Sequence, residues 1–311
     1  MKVLIIDEMH PSIIPLLEDL NYKVDYKPKI SREEIQASLS DYVGMIIRSK
    51  TPIDQALLMH ADRLKFIARA GAGLDQIDLE EVTRRGIQLF HAPEGNRDAV
   101  AEHALGMLLM LFNRLHIANQ EVKQRVWARE ANRGIELKGK TVGIIGYGNM
   151  GQAFAQRLSG FGVRVLAYDK YKSGFSDAFA DEASLSEIQK QADVLSLHIP
   201  LTEENKYLLN KEFLSQFNKP FYLINTARGE LIQLETLLWA LEEQILLGAC
   251  LDVLENEKLQ TLSGEEETLL DQLAAKEQVV FSPHIAGWTH ESYRKINEVL
   301  AAKIKGAFKN H

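Results

Sequence analysis

The sequence predicts an α/β fold of two units, each built on a doubly wound parallel sheet. Short apolar runs alternate with helical patterns along nearly all of the 311 residues, as buried parallel strands joined by crossover helices do. One long helical pattern and a polar stretch divide this alternation into two sets. A chain of 311 residues is also longer than one hydrophobic core usually serves.

The first set has apolar runs at 3–6, 45–47, 66–68 and 87–90. The run at 3–6 has a charge on each side and is very short, so it reads as a first strand and not as a signal peptide. Residues 13–20 have helical spacing, and Ser31-Arg-Glu-Glu34 opens another helix with a capping box. The long helical pattern follows at 98–119, with Ala101, Leu105, Leu108, Leu109 and Phe112 on one face, and then the polar stretch 120–139. Apolar runs near 142–145, 163–168, 194–198, 221–225, 247–251 and 279–281 form the second set. Their number suits a doubly wound sheet. Beyond Pro283 an amphipathic pattern at 291–308 carries Tyr293, Ile296, Leu300 and Ile304 at helical spacing. The acidic run 264–267 reads as a solvated loop or a helix start.

A net charge of −7 argues against a general nucleic-acid binder or a partner of anionic membranes. An anionic substrate would need a local basic pocket. The single cysteine, Cys250, lies in an apolar run; it allows no intrachain disulfide, which fits a reducing cytoplasm. No uncharged stretch reaches membrane-spanning length, and no cluster of residues has metal-ligand spacing. The expectation is a cytoplasmic protein with no membrane, nucleic acid or metal among its partners.

The run at 142–145 feeds Gly146-Tyr-Gly-Asn-Met-Gly151, a helical pattern follows, and the next apolar run closes on Asp169. Strand, glycine turn, helix and strand ending in an acid make the fingerprint of a dinucleotide site. Gly146 permits the tight turn, Gly148 admits a pyrophosphate to the backbone, and Gly151 lets helix and strand approach. Asn149 and Met150 open the helix, whose free N–H groups favour an anion. Asp169, 18 residues beyond Gly151, would accept from a ribose and repel a 2′-phosphate, favouring NAD over NADP. Lys170 and Lys172 would soften that repulsion.

Three further segments follow apolar runs, where an open parallel sheet presents ligands. Arg228 can hold a carboxylate bidentately and polarise an adjacent carbonyl. His284 titrates near neutrality and can take or give a hydroxyl proton. An acid at Glu257 can orient the imidazole and raise its pKa, although Glu255 lies only two residues away. Asp252 is a candidate for the nicotinamide amide. Singly, such an arginine is usually a surface ion pair and such a histidine structural; their shared sheet edge gives them weight together.

With these segments the chain resembles the NAD-dependent D-isomer-specific 2-hydroxyacid dehydrogenases. The resemblance runs through 69–75, 100–106, the glycine motif, 197–202, 225–229, 252–257 and 283–287, in the family's order and over nearly the whole chain. It implies Arg228, Glu257 and His284 as the catalytic set, with His284 the acid/base. It also implies that amides around Ala72 and Gly73 bind the substrate carboxylate, and that NAD meets Gly146, Gly148, Asn149, Met150, Gly151, Asp169, His198, Pro200, Thr226, Asp252 and Gly287. His198 would act through its backbone, and His103 would be a packed or interdomain residue.

By the same resemblance a Rossmann dinucleotide-binding domain, 96–285, is inserted in a discontinuous flavodoxin-like substrate domain, 1–95 and 286–311. The active site would be a cleft that hinge motion closes. The family often has proline where Lys258 follows Glu257, and smaller residues where Trp288 follows Gly287. Trp288 is read either as a wall of the substrate pocket or as packing against the crossing helices.

Arg48, Lys50 and Arg69 put basic groups after strands of the first set, and Asn96-Arg97 and Trp127-Ala-Arg129 add further polar or basic groups. Similar features occur in 3-phosphoglycerate dehydrogenases, so the substrate expected first is 3-phosphoglycerate, with Arg48 and Asn96 beside it and glyoxylate or hydroxypyruvate next. The alternative for Arg48 and Lys50 is pairing with surface carboxylates. The resemblance is to the short form without a C-terminal regulatory domain, so serine feedback through one is not expected. Relatives are commonly dimers, which makes a homodimer the expected assembly, with 120–139 as its arm. A nucleotide-sensing interaction protein is the alternative from another class.

Overall fold

A computed structural model of the chain describes residues 1–308. The chain divides into two compact units, Met1–Arg97 with the segment from Trp288 onward, and Asp98–Gly287.

In the first unit, β1 (Lys2–Ile5), β2 (Lys23–Tyr26), β3 (Gly44–Ile47), β4 (Phe66–Arg69) and β5 (Gln88–His91) form one sheet in the order β2-β1-β3-β4-β5. Every pairing is parallel, and the order is that of a flavodoxin-like sheet. Alternation along β1 splits its side chains between two cores. Leu4 joins Met45, Ile47 and Ile67 beneath Ile35, Leu57 and Leu58. Val3 and Ile5 join Ile46, Phe66 and Ala68, and this face is closed by Ile13, Leu17, Leu300 and Ile304. Leu300 and Ile304 come from the last helix, His290–Ala307, so the chain end completes the first core. Ser31 caps its helix as the sequence indicates, with Glu34 N–H donating to the hydroxyl at 3.2 Å.

The sequence reading omits β2. Its Lys-Val-Asp-Tyr composition offers one aliphatic residue, and as an edge strand bonded only to β1 it needs no more.

The second unit contains β6 (Thr141–Ile145), β7 (Arg164–Tyr168), β8 (Asp181–Glu182), β9 (Val194–Leu197), β10 (Phe221–Asn225), β11 (Leu246–Leu251) and β12 (Val279–Phe281). They form a parallel sheet ordered β12-β11-β10-β9-β6-β7-β8. The chain winds outward from β6 through β7 to β8, then returns to β9 beside β6 and winds out the other way. The adjacent ends of β6 and β9 are therefore a topological switch point, where such sheets bind ligands. The additional strand is β8, two exposed acidic residues at an edge, with no apolar run to announce it.

Both faces of this sheet are buried. Ile145, Leu166, Leu195, Leu197, Leu223 and Leu251 line one; Val142, Ile144, Val165, Ile224 and Cys250 line the other. Burial pushes the Cys250 thiol pKa up, which removes its thiolate character.

The pattern at 98–119 is two helices, not one. The first runs Pro93–Phe112 and the second Leu115–Lys123. Arg114 between them is in the left-handed region at φ 49°, with its guanidinium on Glu277 at 2.7 Å. Apolar spacing does not register a single left-handed residue. The acidic run begins a helix, Gly264–Ala274, capped by Ser263. Among the described residues no helix is long and apolar enough to cross a membrane.

Phe66 is 1% exposed and meets Tyr22, Phe90 and Phe308 at ring separations of 5.7, 6.1 and 5.5 Å. Phe66→Ala should lower the unfolding free energy of the first unit by about 3–5 kcal/mol in urea denaturation. A loss below about 1 kcal/mol would mean that the second core does not depend on this ring.

Candidate active site

In the second unit the residues singled out from sequence follow the carboxyl ends of successive strands. Between β6 and the helix Asn149–Leu158, Gly146 has φ 95°, a conformation that only glycine adopts readily. A Cβ on Gly151 would lie 2.1 Å from the Gly146 carbonyl oxygen, so the helix start could not approach the turn with any larger residue. Around Gly148 nothing occupies the space a side chain would take. The first-turn amides of the helix, which have no intrahelical partner, are those of Asn149, Met150 and Gly151.

Asp169 follows β7. Its Oδ2 accepts from Tyr147 N–H at 2.9 Å and its Oδ1 from Tyr171 N–H at 3.0 Å. Both bonds fix the carboxylate beside the glycine turn. Of the two lysines, Lys172 Nζ donates to the Tyr147 carbonyl at 2.7 Å and lines the same depression as Asp169, while Lys170 pairs with Glu204. This depression, of about 520 Å³, is also lined by Tyr168, Phe175, Glu182 and Glu187 among others. This rim suits a ribose better than a further phosphate.

After β9, the His198 ring packs on Phe154 at 5.4 Å and bonds Ser196 Oγ at 2.9 Å. Burial pushes its pKa down to about 4, so the ring is neutral and ill suited to proton transfer near pH 7. Pro200 is exposed and its carbonyl accepts from Asn205. After β10, buried Asn225 closes a turn, its Oδ1 accepting from Ala227 N–H and its Nδ2 donating to Arg228 O. The turn carries Thr226, whose enclosed hydroxyl has no partner among the described residues, and Arg228. A glycine cradle, a fixed acid and an unsatisfied hydroxyl along one sheet edge fit a dinucleotide.

Asp252 follows β11 and is 1% exposed. Its Oδ1 accepts from Ser282 Oγ at 2.6 Å and from Ile285 N–H at 2.8 Å; its Oδ2 accepts from Ala286 N–H at 2.8 Å. Its carbonyl accepts from His284 N–H at 2.7 Å. Four bonds thus gather the loop after β12, which ends at Gly287, onto one buried residue. His103 extends the cluster, its Nε2 being 2.8 Å from Ser282 Oγ. Because Ser282 gives its proton to Asp252, His103 Nε2 is the donor in that contact. Sequence reasoning assigned Asp252 to the nicotinamide amide and did not foresee this clasp. Ser282 carried no local signal and His103 was read only as a packed or interdomain residue, since their partners are distant in sequence.

The clasp holds His284 at φ 54°, a left-handed conformation that costs a non-glycine residue about 1–2 kcal/mol. His284 Nδ1 then lies 2.9 Å from Glu257 Oε2. Glu255 is committed elsewhere, accepting from Tyr207 Oη at 2.9 Å and Leu234 N–H at 3.0 Å. The hydrogen bond to Glu257 raises the His284 pKa, while desolvation and the Arg228 charge pull the other way. A carboxylate only accepts, so Nδ1 carries a proton and Nε2 is left to exchange one.

In the first unit Arg48, Ala72 and Asn96 follow the neighbouring strands β3, β4 and β5. The Ala72 and Gly73 N–H groups have no acceptor among the described residues, and both residues are partly exposed. The Ala72 carbonyl accepts from His91 Nδ1 at 2.8 Å. Asn96 Oδ1 is enclosed without a partner among the described residues.

The model of the D-isomer specific 2-hydroxyacid dehydrogenase family, NAD binding domain, matches residues 105–286. The chain belongs to this family, and NAD is its cofactor. It is 32% identical over 307 residues to D-3-phosphoglycerate dehydrogenase of Methanocaldococcus jannaschii, an alignment covering 98% of this chain and 57% of the relative. The human D-3-phosphoglycerate dehydrogenase is 34% identical over 305 residues, 97% of this chain and 56% of its own. The chain thus spans about half the length of these curated relatives. Among solved structures, D-lactate dehydrogenase from Aquifex aeolicus, complexed with NAD and lactic acid, superposes with TM-score 0.83 at 30% identity, covering 99% of this chain and 96% of that one. D-2-hydroxyisocaproate dehydrogenase superposes with TM-score 0.83 at 26% identity, covering 100% and 98%.

Glu257→Gln should lower the His284 pKa, because the imidazolium loses its anionic acceptor. The protonated ring, favoured below its raised pKa in the native pair, would then be lost at a lower pH. An NMR titration of the His284 ring checks this. Glu255→Gln should leave the titration in place, and a shift with Glu255→Gln instead of Glu257→Gln would reverse the assignment.

Proposed function

We propose that the chain is an NAD-dependent dehydrogenase of small D-2-hydroxy acids, acting on the CH–OH group. The observation that carries this reading is the His284–Glu257 pair at 2.9 Å on the NAD-binding unit, one strand end from Arg228. Bound NAD supplies the acceptor or donor of the hydride. In oxidation His284 Nε2 takes the hydroxyl proton while the C2 hydrogen leaves as hydride, giving the 2-keto acid. In reduction the imidazolium returns the proton. Glu257 stabilises the imidazolium and keeps Nε2 available. Arg228 holds the carboxylate and polarises the C2 oxygen. Ala72 and Gly73 amides take the carboxylate as further donors, with Asn96 as a polar neighbour.

On the cofactor side the reading assigns the pyrophosphate to Gly146, Gly148, Asn149, Met150 and Gly151, and the ribose to Asp169. The nicotinamide half falls to His198, Pro200, Thr226 and Gly287, by backbone or hydroxyl. Asp252 supports that half through the loop it gathers.

The substrate we favour is 3-phosphoglycerate, the substrate in the names of the relatives at 32% and 34% identity. Glyoxylate or hydroxypyruvate comes second. Arg48 would meet the phosphate, since no carboxylate pairs with its guanidinium among the described residues. Oxidation of 3-phosphoglycerate would make the protein a serine-biosynthetic enzyme, and its one buried thiol suits a reducing cytoplasm. We also infer a homodimer through 120–139, where Trp127 is 77% exposed; a monomer in sedimentation velocity would contradict it.

Incubation with NAD or NADP and a panel of 2-hydroxy and 2-keto acids, followed by NADH absorbance, tests the activity. Turnover is expected with NAD. Tight NAD binding with no turnover in either direction would overturn the enzyme reading. His284→Ala should lower kcat by about 10²–10⁴ while leaving NADH binding intact, and unchanged turnover would remove it as the acid/base.

A further inference from the structure

Trp288 is 64% exposed, and its position has a local explanation that accounts for only part of it. Thr289 caps the last helix in a capping box with Ser292. Trp288 therefore precedes the cap and Tyr293 occupies the fourth helical position, the two places a hydrophobic staple joins. The rings lie 6.3 Å apart and nearly parallel at 18°. A staple requires an apolar residue, and leucine would serve.

The indole does something further. The Arg48 guanidinium carbon lies 3.7 Å from the Trp288 ring centroid and 5.3 Å from that of Tyr293. Tyr293 is braced in turn by His10, edge-on at 5.6 Å, and buried Asn297 donates to the His10 carbonyl at 2.9 Å. Asp7 and Glu8 are the carboxylates that act on this guanidinium electrostatically. Asp7 Oδ2 accepts from the Arg48 backbone N–H at 2.5 Å, yet among the described residues no carboxylate is in ion-pair contact with the guanidinium. Stacking engages only the face of the fork. Its in-plane N–H donors, which match two oxygens of a carboxylate or phosphate, have no partner among the described residues.

We propose that Trp288 and Tyr293 are positioning residues that hold Arg48 as a planar fork for an oxyanion, phosphate or carboxylate, on the end of the substrate remote from its 2-hydroxyl. The proposal rests on the reading above that Arg48 meets the substrate's anionic tail. Without the indole the guanidinium would fall toward Asp7 and Glu8, and tail discrimination would be lost.

Trp288→Leu keeps the staple and removes the π face; Trp288→Phe keeps both. Trp288→Leu should reduce kcat/KM for 3-phosphoglycerate about tenfold more than for its unphosphorylated analogue, through KM, with unchanged thermal unfolding. Trp288→Phe should restore most of the loss. In a chain carrying Trp127→Phe and Trp239→Phe, Trp288 is the only tryptophan. Its fluorescence should respond to inorganic phosphate or to succinate, and Arg48→Ala should abolish the response; the effective anion distinguishes phosphate from carboxylate. If Arg48→Ala abolishes discrimination but Trp288→Leu retains it, the positioning role falls and the Arg48 reading stands. If neither variant changes discrimination, both fall. If the wild type oxidises or reduces no 2-hydroxy or 2-keto acid, the dehydrogenase reading fails, and the fluorescence titration alone decides the anion site: no Arg48-dependent response overturns it.

Discussion

The geometry of the candidate site in the second unit depends on one buried carboxylate. Among the described residues Asp252 has no Lys or Arg at ion-pair distance, and the His103 ring lies 3.6 Å away; backbone N–H groups and the Ser282 hydroxyl satisfy it instead. A buried carboxylate is tolerated when its lone pairs are filled by hydrogen bonds. Here the donors all come from one loop, so satisfying the acid and shaping the loop are the same event. The resulting geometry includes a histidine in a backbone conformation it would not adopt unaided. Local strain held by surrounding bonds is a recognised way to fix a side chain in place.

The parallel sheets do the coarser work. Strand order in the second unit opens a switch point at β6 and β9, and every strand from β6 to β12 except the edge strand β8 delivers a candidate residue to the same edge. Strand order in the first unit does the same for Arg48, Ala72 and Asn96 through β3, β4 and β5. Apolar runs buried on both faces specify such sheets strongly, which is why they were legible. The edge strands β2 and β8 were not, because a strand with one neighbour and exposed residues needs no apolar run.

The candidate site was legible to the same degree. The glycine turn, Asp169, Arg228 and His284 stand out as candidates because each is a distinctive residue at a fixed offset from a strand end. Glu257 was separated from Glu255 only by its spacing from Asp252, since both acids lie in one loop; side-chain direction distinguishes them, with Glu257 on His284 and Glu255 on Tyr207 and Leu234. Asp252 was recognisable as an acid after a strand, but its partners lie 30 to 34 residues away in sequence, and no local pattern encodes them. The stack of Arg48 on Trp288 joins residues from opposite ends of the chain for the same reason. Arg114, which breaks the long helix, is hidden because helical periodicity resumes immediately after it.

The crystal structure of Asp252→Asn would test the clasp most directly. Asparagine can accept through its oxygen but offers an NH₂ group where Oδ2 receives the Ala286 N–H, so one loop bond must be lost. If the carboxylate sets the site, residues 282–286 should relax, His284 should leave the left-handed region, and its Nδ1 should move out of hydrogen-bond reach of Glu257. A loop unchanged from the wild type, with the pair still at 2.9 Å, would contradict the account.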